Sequence, residues 1–89
     1  MNDAESDGPR EALHLLKQGG FLLGPDWDKA HAIAQTREGT FEYDLVHALI
    51  HWIEGDLSNR DYWYRRIGAR WKRAETIEKE WQTIAERLG

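Results

Sequence analysis

Residues 42–67 read EYDLVHALIHWIEGDLSNRDYWYRRI, and this pattern predicts two helices joined by a tight turn. In the first part, apolar side chains spread over an arc of about 200° when each residue turns by about 100°. The residues on this arc are Leu45, Val46, Ala48, Leu49, Ile50, Trp52 and Ile53. Such a wide arc predicts a central helix over Phe41–Glu54 that is packed on most sides. Gly55 and Asp56 end it, so we expect 42–67 to form a central antiparallel helical hairpin.

The composition of the chain favours an all-α domain. Its 89 residues include nine Leu and nine Ala but one Val, and Leu and Ala prefer helices whereas β-branched residues prefer strands. A chain of this length has room for one modest hydrophobic core. The absence of Cys excludes disulfides, cysteine-ligated metal sites and thiol catalysis. We therefore expect a small bundle of four to five helices held together by packing alone.

Turn residues and apolar spacing divide the rest of the chain. Residues 1–8 lack apolar periodicity and are predicted to form a disordered leader, which leaves 9–89 as a single helical domain. Ser58 and Asp61 form a candidate capping box at the start of the second hairpin helix. Three helices are predicted besides the central one in this part of the chain: 9–18, 25–36 and the second hairpin helix, 59–67.

The C-terminal segment carries an apolar stripe of its own. A last helix is predicted from Trp71 onward, and its apolar residues recur with alternating spacings of three and four: Ala74, Ile77, Trp81, Ile84 and Leu88. Every helix of a small bundle needs such a face, so we expect the stripe to lie in the core. The alternative is a homodimer through 71–88.

The turn of the hairpin resembles one unit of a tetratricopeptide or Sel1-type repeat. In those repeats a Gly-Asp pair joins two antiparallel helices and a later aromatic residue packs back across them, and Gly55, Asp56 and Tyr64 match this pattern. Arg60 and His47 depart from it, because the repeat has a small residue and an apolar residue there. The resemblance implies a helical hairpin with Tyr64 in the core. A longer string, HALIHWIEGDLSNRDYWYRR at 47–66, resembles that of small uncharacterised bacterial helical proteins and implies no activity.

A narrow polar seam interrupts the apolar arc of the central helix. It consists of Asp44, His47, His51 and Glu54, with no Lys or Arg. His47 and His51 are one turn apart, so both imidazoles can reach one divalent metal ion, and Glu54 adds a carboxylate. Asp44 is a candidate fourth ligand or an acceptor that orients His47. His31 would face the seam if its helix packs antiparallel. The seam predicts, as one alternative, a metal-binding or metal-dependent hydrolytic site.

Two other interpretations of the seam are open at this stage. One is a solvated stripe of ordinary i, i+3 neighbours. The other is a buried polar network in which the imidazoles bond to Tyr hydroxyls, Asp56 or Asn59 and need no cofactor. The sequence has no His-Glu-x-x-His motif and no Gly-x-Ser-x-Gly motif. We therefore expect no intrinsic catalysis, with the metal site as the alternative.

Charge is divided unevenly along the chain. The net charge of −4 argues against a general nucleic-acid binder. Residues 60–73 nevertheless hold six basic residues and one acid, whereas the other 75 residues hold six basic and fifteen acidic groups. Such a segment either pairs with the chain's own acids or binds an acidic partner. We expect pairing, with Arg65 and Arg66 next to acids such as Glu54 and Asp56.

The leading prediction is a small cytoplasmic binding domain whose partner is an unidentified protein. Its expected contact surface combines aromatic and basic side chains: Trp63, Arg65, Arg66 and Arg70. The same segment suggests weak nucleic-acid binding as a further alternative, although three consecutive aromatics on a helix point about 100° apart and form no single stacking platform. No segment has the roughly 20 apolar residues of a membrane helix, and the acidic N-terminus does not resemble a secretory signal.

Overall fold

The protein is a bundle of five α-helices. The computed structural model describes residues 4–89, with side chains from Asp7 onward. The helices are α1 (Ala4–Gln18), α2 (Pro25–Gln35), α3 (Phe41–Glu54), α4 (Leu57–Ile67) and α5 (Ile77–Leu88), with a 3-10 turn over Gly68–Arg70. The described residues contain no strand, so the predicted all-α class and helix number are confirmed.

Helix α3 is the centre of the bundle, as its wide apolar arc predicts. Every residue from Tyr43 to His51 is buried. The helix contacts α1, α2, α4 and α5, and its bounds coincide with the predicted ones. Leu45, Leu49 and Ile50 are fully buried, and burying side chains of this size stabilises the fold by about 1.5–3 kcal/mol each. The side chains that the other helices pack against α3 are therefore held in fixed positions relative to it.

The Gly-Asp turn sets the geometry between α3 and α4. Gly55 has a φ of 88°, a left-handed conformation that glycine adopts at low cost. The following N–H, of Asp56, donates to the His51 carbonyl at 3.0 Å and closes the end of α3. Asp56 Oδ1 then accepts from the backbone N–H of Asn59, which makes Asp56 the N-cap of α4. The predicted capping box of Ser58 and Asp61 is wrong, because α4 already begins at Leu57.

Helix α1 begins earlier than predicted. Residues 4–8 lie in this helix, so the predicted leader over 1–8 is too long, and residues 1–3 lie outside the described residues. A Cβ at Gly8 would clash with the Tyr43 ring, and the neighbouring Pro9 is fully buried. Gly8 therefore packs closely on Tyr43 of α3, within a stretch that has no apolar periodicity.

Helix α5 begins later than predicted, at Ile77 rather than near Trp71. The carboxylate of Glu80 is fully buried and accepts hydrogen bonds from the Tyr64 hydroxyl (2.7 Å), Trp71 Nε1 (2.8 Å) and the backbone N–H of Ala74 (2.9 Å). These bonds hold the segment before α5 in a non-helical path. Thr76 caps α5, since its hydroxyl accepts from the Lys79 N–H.

The apolar stripe of α5 faces the bundle. Ile84 and Leu88 are buried, and Ile77 and Trp81 pack against the same core at partial exposure. The stripe therefore belongs to the core as expected, so a homodimer through 71–88, which stays a prediction, would use other faces of α5. No helix of residues 4–89 is long and apolar enough to cross a membrane.

Candidate metal centre

Three histidines from two helices meet beside the centre of the bundle. Trp27 fixes the register between α2 and α3, because its indole N–H donates to the Ile50 carbonyl at 3.0 Å. With the helices antiparallel, one turn further along α2 places His31 opposite His47 and His51. The expectation that His31 faces the polar seam is therefore confirmed.

The imidazoles lie close enough to share one ion. The ring centroids are 5.2 Å apart for His31 and His47, 5.2 Å for His31 and His51, and 4.9 Å for His47 and His51. One nitrogen from each ring lies within 4.8 Å of the other two. Tetrahedral zinc with bonds of about 2.0–2.1 Å needs nitrogens about 3.3 Å apart, so small side-chain rotations would complete the geometry. His31 is partly exposed, and this gives the cluster a route to solvent.

His47 is the most enclosed of the three. It is 2% exposed, and its Nδ1 has no hydrogen-bond partner. The Trp63 ring stacks on it at 4.0 Å between centroids, with 19° between the planes. Burial, followed by the neighbouring His51 and His31, lowers the pKa of His47 to about 3. The imidazole is therefore neutral near pH 7, which is the form that binds metal ions.

The surroundings of the other two rings also favour ligation. Burial and the nearby His51 lower the pKa of His31. His51 Nδ1 donates to Glu54 Oε1 at 2.7 Å. Because a carboxylate fixes the proton on Nδ1, His51 Nε2 is the nitrogen left for a metal ion. Glu54, predicted as a ligand, orients His51 here; it lies outside the group of three imidazoles and belongs to a second possible ligand group with His51 and Asp56.

The polar network predicted around the imidazoles is absent among the described side chains. Asp44 is buried at the first turn of α3, where Oδ1 accepts from the Gly39 N–H at 3.0 Å, and burial raises its pKa. Asp56 and Asn59 bond to each other at the start of α4. None of the three residues hydrogen-bonds to an imidazole, but Asp56 lies with His51 and Glu54 in a second group whose possible ligand atoms are within 4.8 Å of one another. The roles predicted for the three residues stay predictions. The solvated-stripe interpretation is wrong as well, since only Glu54 of the seam is exposed.

The expected partner surface is also rearranged. Trp63 is 5% exposed and serves as a wall of the histidine cluster, so it is unavailable to a partner. Arg65, Arg66 and Arg70 are exposed, as predicted. Neither Arg65 nor Arg66 forms an ion pair with Glu54, Asp56 or any other carboxylate of the described residues. The expected ion pairs of Arg65 and Arg66 with Glu54 and Asp56 are therefore absent, whereas Arg60 of the same segment pairs with Asp61 at 2.9 Å. Asp61 and Asp44 also act on Arg65 and Arg66, respectively, from further away.

Two positions were missed in the sequence, one beside the histidine cluster and one in the core. Trp27 precedes His31 by one helical turn and has its ring 5.0 Å from the imidazole, so its spacing was a usable signal. Glu80 shares the apolar face of α5 with Ile77 and Ile84 at spacings of three and four, and that pattern indicated burial. Trp63 gave no such signal, because it stands between two other aromatics.

Comparisons with models of protein families, with curated proteins and with solved structures give no match to this chain. The likeness of residues 42–67 to one tetratricopeptide-type unit therefore stays a resemblance, and the histidine cluster has to be interpreted from its own geometry.

Proposed function

We propose that this protein binds one divalent transition-metal ion through His31, His47 and His51. The convergence of three imidazoles, one of them with a buried nitrogen that lacks a partner, carries the proposal. Buried polar groups in native proteins are nearly always satisfied, so a buried imidazole nitrogen without a partner, on a ring of this cluster, supports a bound ion. An interaction role alone gives no reason for this arrangement.

The donor set indicates which ions suit the site. Imidazole nitrogens suit zinc, copper, nickel and iron, whereas calcium and magnesium prefer oxygen. Three histidines with a position open to solvent on the His31 side resemble the donor set of zinc sites that keep a water ligand. Glu54 supports the proposal from outside, because a carboxylate on the second ring nitrogen is the common partner of a metal-bound histidine.

Binding comes before any chemistry in this proposal. A metal-bound water would supply the nucleophile of the hydrolytic alternative, and Glu54 is the carboxylate next to the cluster. Hydrolysis and the expected cytoplasmic location stay predictions that depend on other measurements. The sequence-based prediction of a protein partner concerns a different surface.

The experiment is a thermal-shift series on untagged, metal-stripped protein at pH 7.5 with Zn²⁺, Ni²⁺, Mn²⁺ or Fe²⁺. An ion at about 100 times its dissociation constant adds roughly 2.7 kcal/mol, which raises Tm by several degrees in a domain of this size. We expect the shift in the wild type and its loss in His31→Ala, a change at a partly exposed side chain that spares the core.

His14→Ala is the matched control, because His14 is exposed on α1 and lies outside the cluster. It should keep the full shift and a stoichiometry of one ion per chain by calorimetry. A series in which no ion raises Tm, or in which His31→Ala and His14→Ala behave alike, would overturn the proposal.

A further inference from the structure

Five arginines lie over aromatic rings along the central hairpin, and we refer to them as the arginine strip. They are Arg60, Arg66, Arg70, Arg73 and Arg87. The guanidinium carbons of Arg60 and Arg73 lie 5.1 and 4.9 Å from the centre of the Trp52 ring. Those of Arg70 and Arg87 lie 4.4 and 5.2 Å from the centre of the Phe41 ring. Arg66 lies 5.1 Å from the Trp63 ring and 5.8 Å from the Tyr62 ring.

The two main clusters of the strip share one face of α3. Phe41 and Trp52 are eleven positions apart, which is three helical turns, so their rings project from the same side about 16 Å apart. One pair of guanidinium groups therefore lies near each end of α3. Cation–π contact restricts each guanidinium group before any ligand binds. Ligand binding therefore loses less side-chain conformational entropy.

The strip has one ion pair among the described residues, although Asp61, Asp44 and Glu38 act on its arginines from further away. Arg60 pairs with Asp61 at 2.9 Å, but the other four arginines form no ion pair with a described carboxylate. Their hydrogen bonds go to neutral oxygens: Arg66 donates to the Tyr62 hydroxyl, Arg70 to the Ile67 carbonyl and Arg73 to the Ala74 carbonyl. A surface that concentrates positive charge and holds one of its five arginines in an ion pair fits a negatively charged partner.

The aromatic rings decide what kind of partner fits. Single-strand nucleic-acid binders leave aromatic faces open for stacking bases, but guanidinium groups lie over the ring faces here. Arginine's planar donors match carboxylates in two-point contacts, and an extended chain covers about 16 Å with about five residues.

From these observations we infer that the arginine strip binds an acidic protein segment of about five extended residues, whose Asp or Glu side chains meet the guanidinium pairs at Trp52 and Phe41. This surface differs from the contact surface predicted from the sequence, since Trp63 is covered and three further arginines take part. The inference is independent of metal binding.

The test is a titration of a fluorescein-labelled deca-glutamate peptide by anisotropy in 50 mM salt with EDTA present. Arg70→Gln/Arg73→Gln removes one arginine from each end of the strip and should weaken binding at least tenfold. Lys17→Gln/Lys29→Gln is the matched control: it removes the same charge from exposed positions on α1 and α2 and should change the dissociation constant less than twofold. The indole N–H signal of Trp52 should shift on peptide addition.

Three outcomes would overturn the inference. They are no binding by the wild type, an equal loss in the lysine control, or tighter binding of deoxythymidine decamer than of the peptide, which would favour a nucleic acid. Arg66→Gln/Arg87→Gln repeats the test at exposed side chains, so a folding defect in the first variant would not leave the inference undecided.

Discussion

The molecule contains two buried polar clusters that differ in how completely their hydrogen bonds are satisfied. In the glutamate cluster, Glu80 is fully buried and three donors on α4 and the 71–74 segment meet its two oxygens. In the histidine cluster, His47 is equally enclosed, yet Nδ1 meets no partner. The first cluster is complete without a ligand, whereas the second is not.

This difference separates a structural role from a functional one. Burial of a polar group costs free energy unless hydrogen bonds replace those to water, so a complete set of bonds indicates a group retained for the fold. Tyr64 follows this pattern: burial and the adjacent Glu80 raise the pKa of its hydroxyl well above the usual range, so it remains a donor at all working pH values. The histidine cluster lacks such compensation.

The largest effect is expected at the glutamate cluster. Glu80→Ala leaves the Tyr64 hydroxyl, the Trp71 indole and the Ala74 N–H without their acceptor, and each unmet buried donor costs about 1–3 kcal/mol. Because solvent can recover part of this loss, we expect a fall of about 3–5 kcal/mol in the free energy of unfolding, measured by urea denaturation.

Two other substitutions sharpen that result. Glu80→Gln keeps the shape of the side chain and one good acceptor, so its free energy of unfolding should fall by less than that of Glu80→Ala. Glu78→Ala, at an exposed position on the same helix, should stay within about 0.5 kcal/mol of the wild type. A loss below 1 kcal/mol for Glu80→Ala would mean that the glutamate cluster is dispensable and that the contrast with the histidines has no energetic basis.

Much of the fold follows from the local pattern of the sequence. The bounds of α3 and the end of α4 were predictable because apolar arcs and glycines mark them, and α2 differs from its prediction by one residue. The errors at the starts of α1 and α5 share one cause. Tyr43 packs against Gly8, and Glu80 holds Trp71 and Ala74, so contacts distant in the chain move the starts of α1 and α5. Periodicity contains no information on such contacts.

The site was predictable in its members but not in its arrangement. The spacing of His47 and His51, with an antiparallel packing of the preceding helix, was enough to predict that His31 faces them. The burial of Trp63 against His47 was not predictable, because three consecutive aromatics on a helix leave open which one faces inward. Nor could the pattern say that Asp44 bonds to the Gly39 backbone, since a turn provides that donor.

A smaller effect is expected from pH. The pKa of His47 is about 3 in the folded chain and about 6.5 when unfolded. Below pH 6.5 the unfolded chain binds a proton that the folded chain excludes, so stability falls as pH decreases, by at most about 1.4 kcal/mol per pH unit. Between pH 6.5 and 4.5 the metal-free wild type should lose about 2 kcal/mol more than His47→Leu.

The subtraction isolates His47 from other titrating groups. Asp44, with its pKa raised by burial, contributes stability that is lost as pH rises, and it does so in both chains. The measurement is urea denaturation of the wild type and His47→Leu at each pH. If the free energies of unfolding of the two chains change in parallel with pH, the folded chain accommodates a charged His47, and the cluster is not a set of neutral nitrogen donors.

The smallest expected effect is the most informative about the histidine cluster. His47→Leu replaces a ring that has an unmet nitrogen with an apolar side chain of similar size against Trp63, and exchanging an unsatisfied polar group for an apolar one is close to neutral. We expect the metal-free variant to lie within about 1 kcal/mol of the wild type in urea denaturation at pH 7.5, while its metal-dependent rise in Tm disappears. Glu80→Leu is the matching change at the glutamate cluster. Its free energy of unfolding should fall several times more, because the three donors that bond to Glu80 remain without an acceptor. A loss above 2 kcal/mol for His47→Leu would instead mean that the imidazole already has a structural partner, such as a buried water, and that both clusters serve the fold.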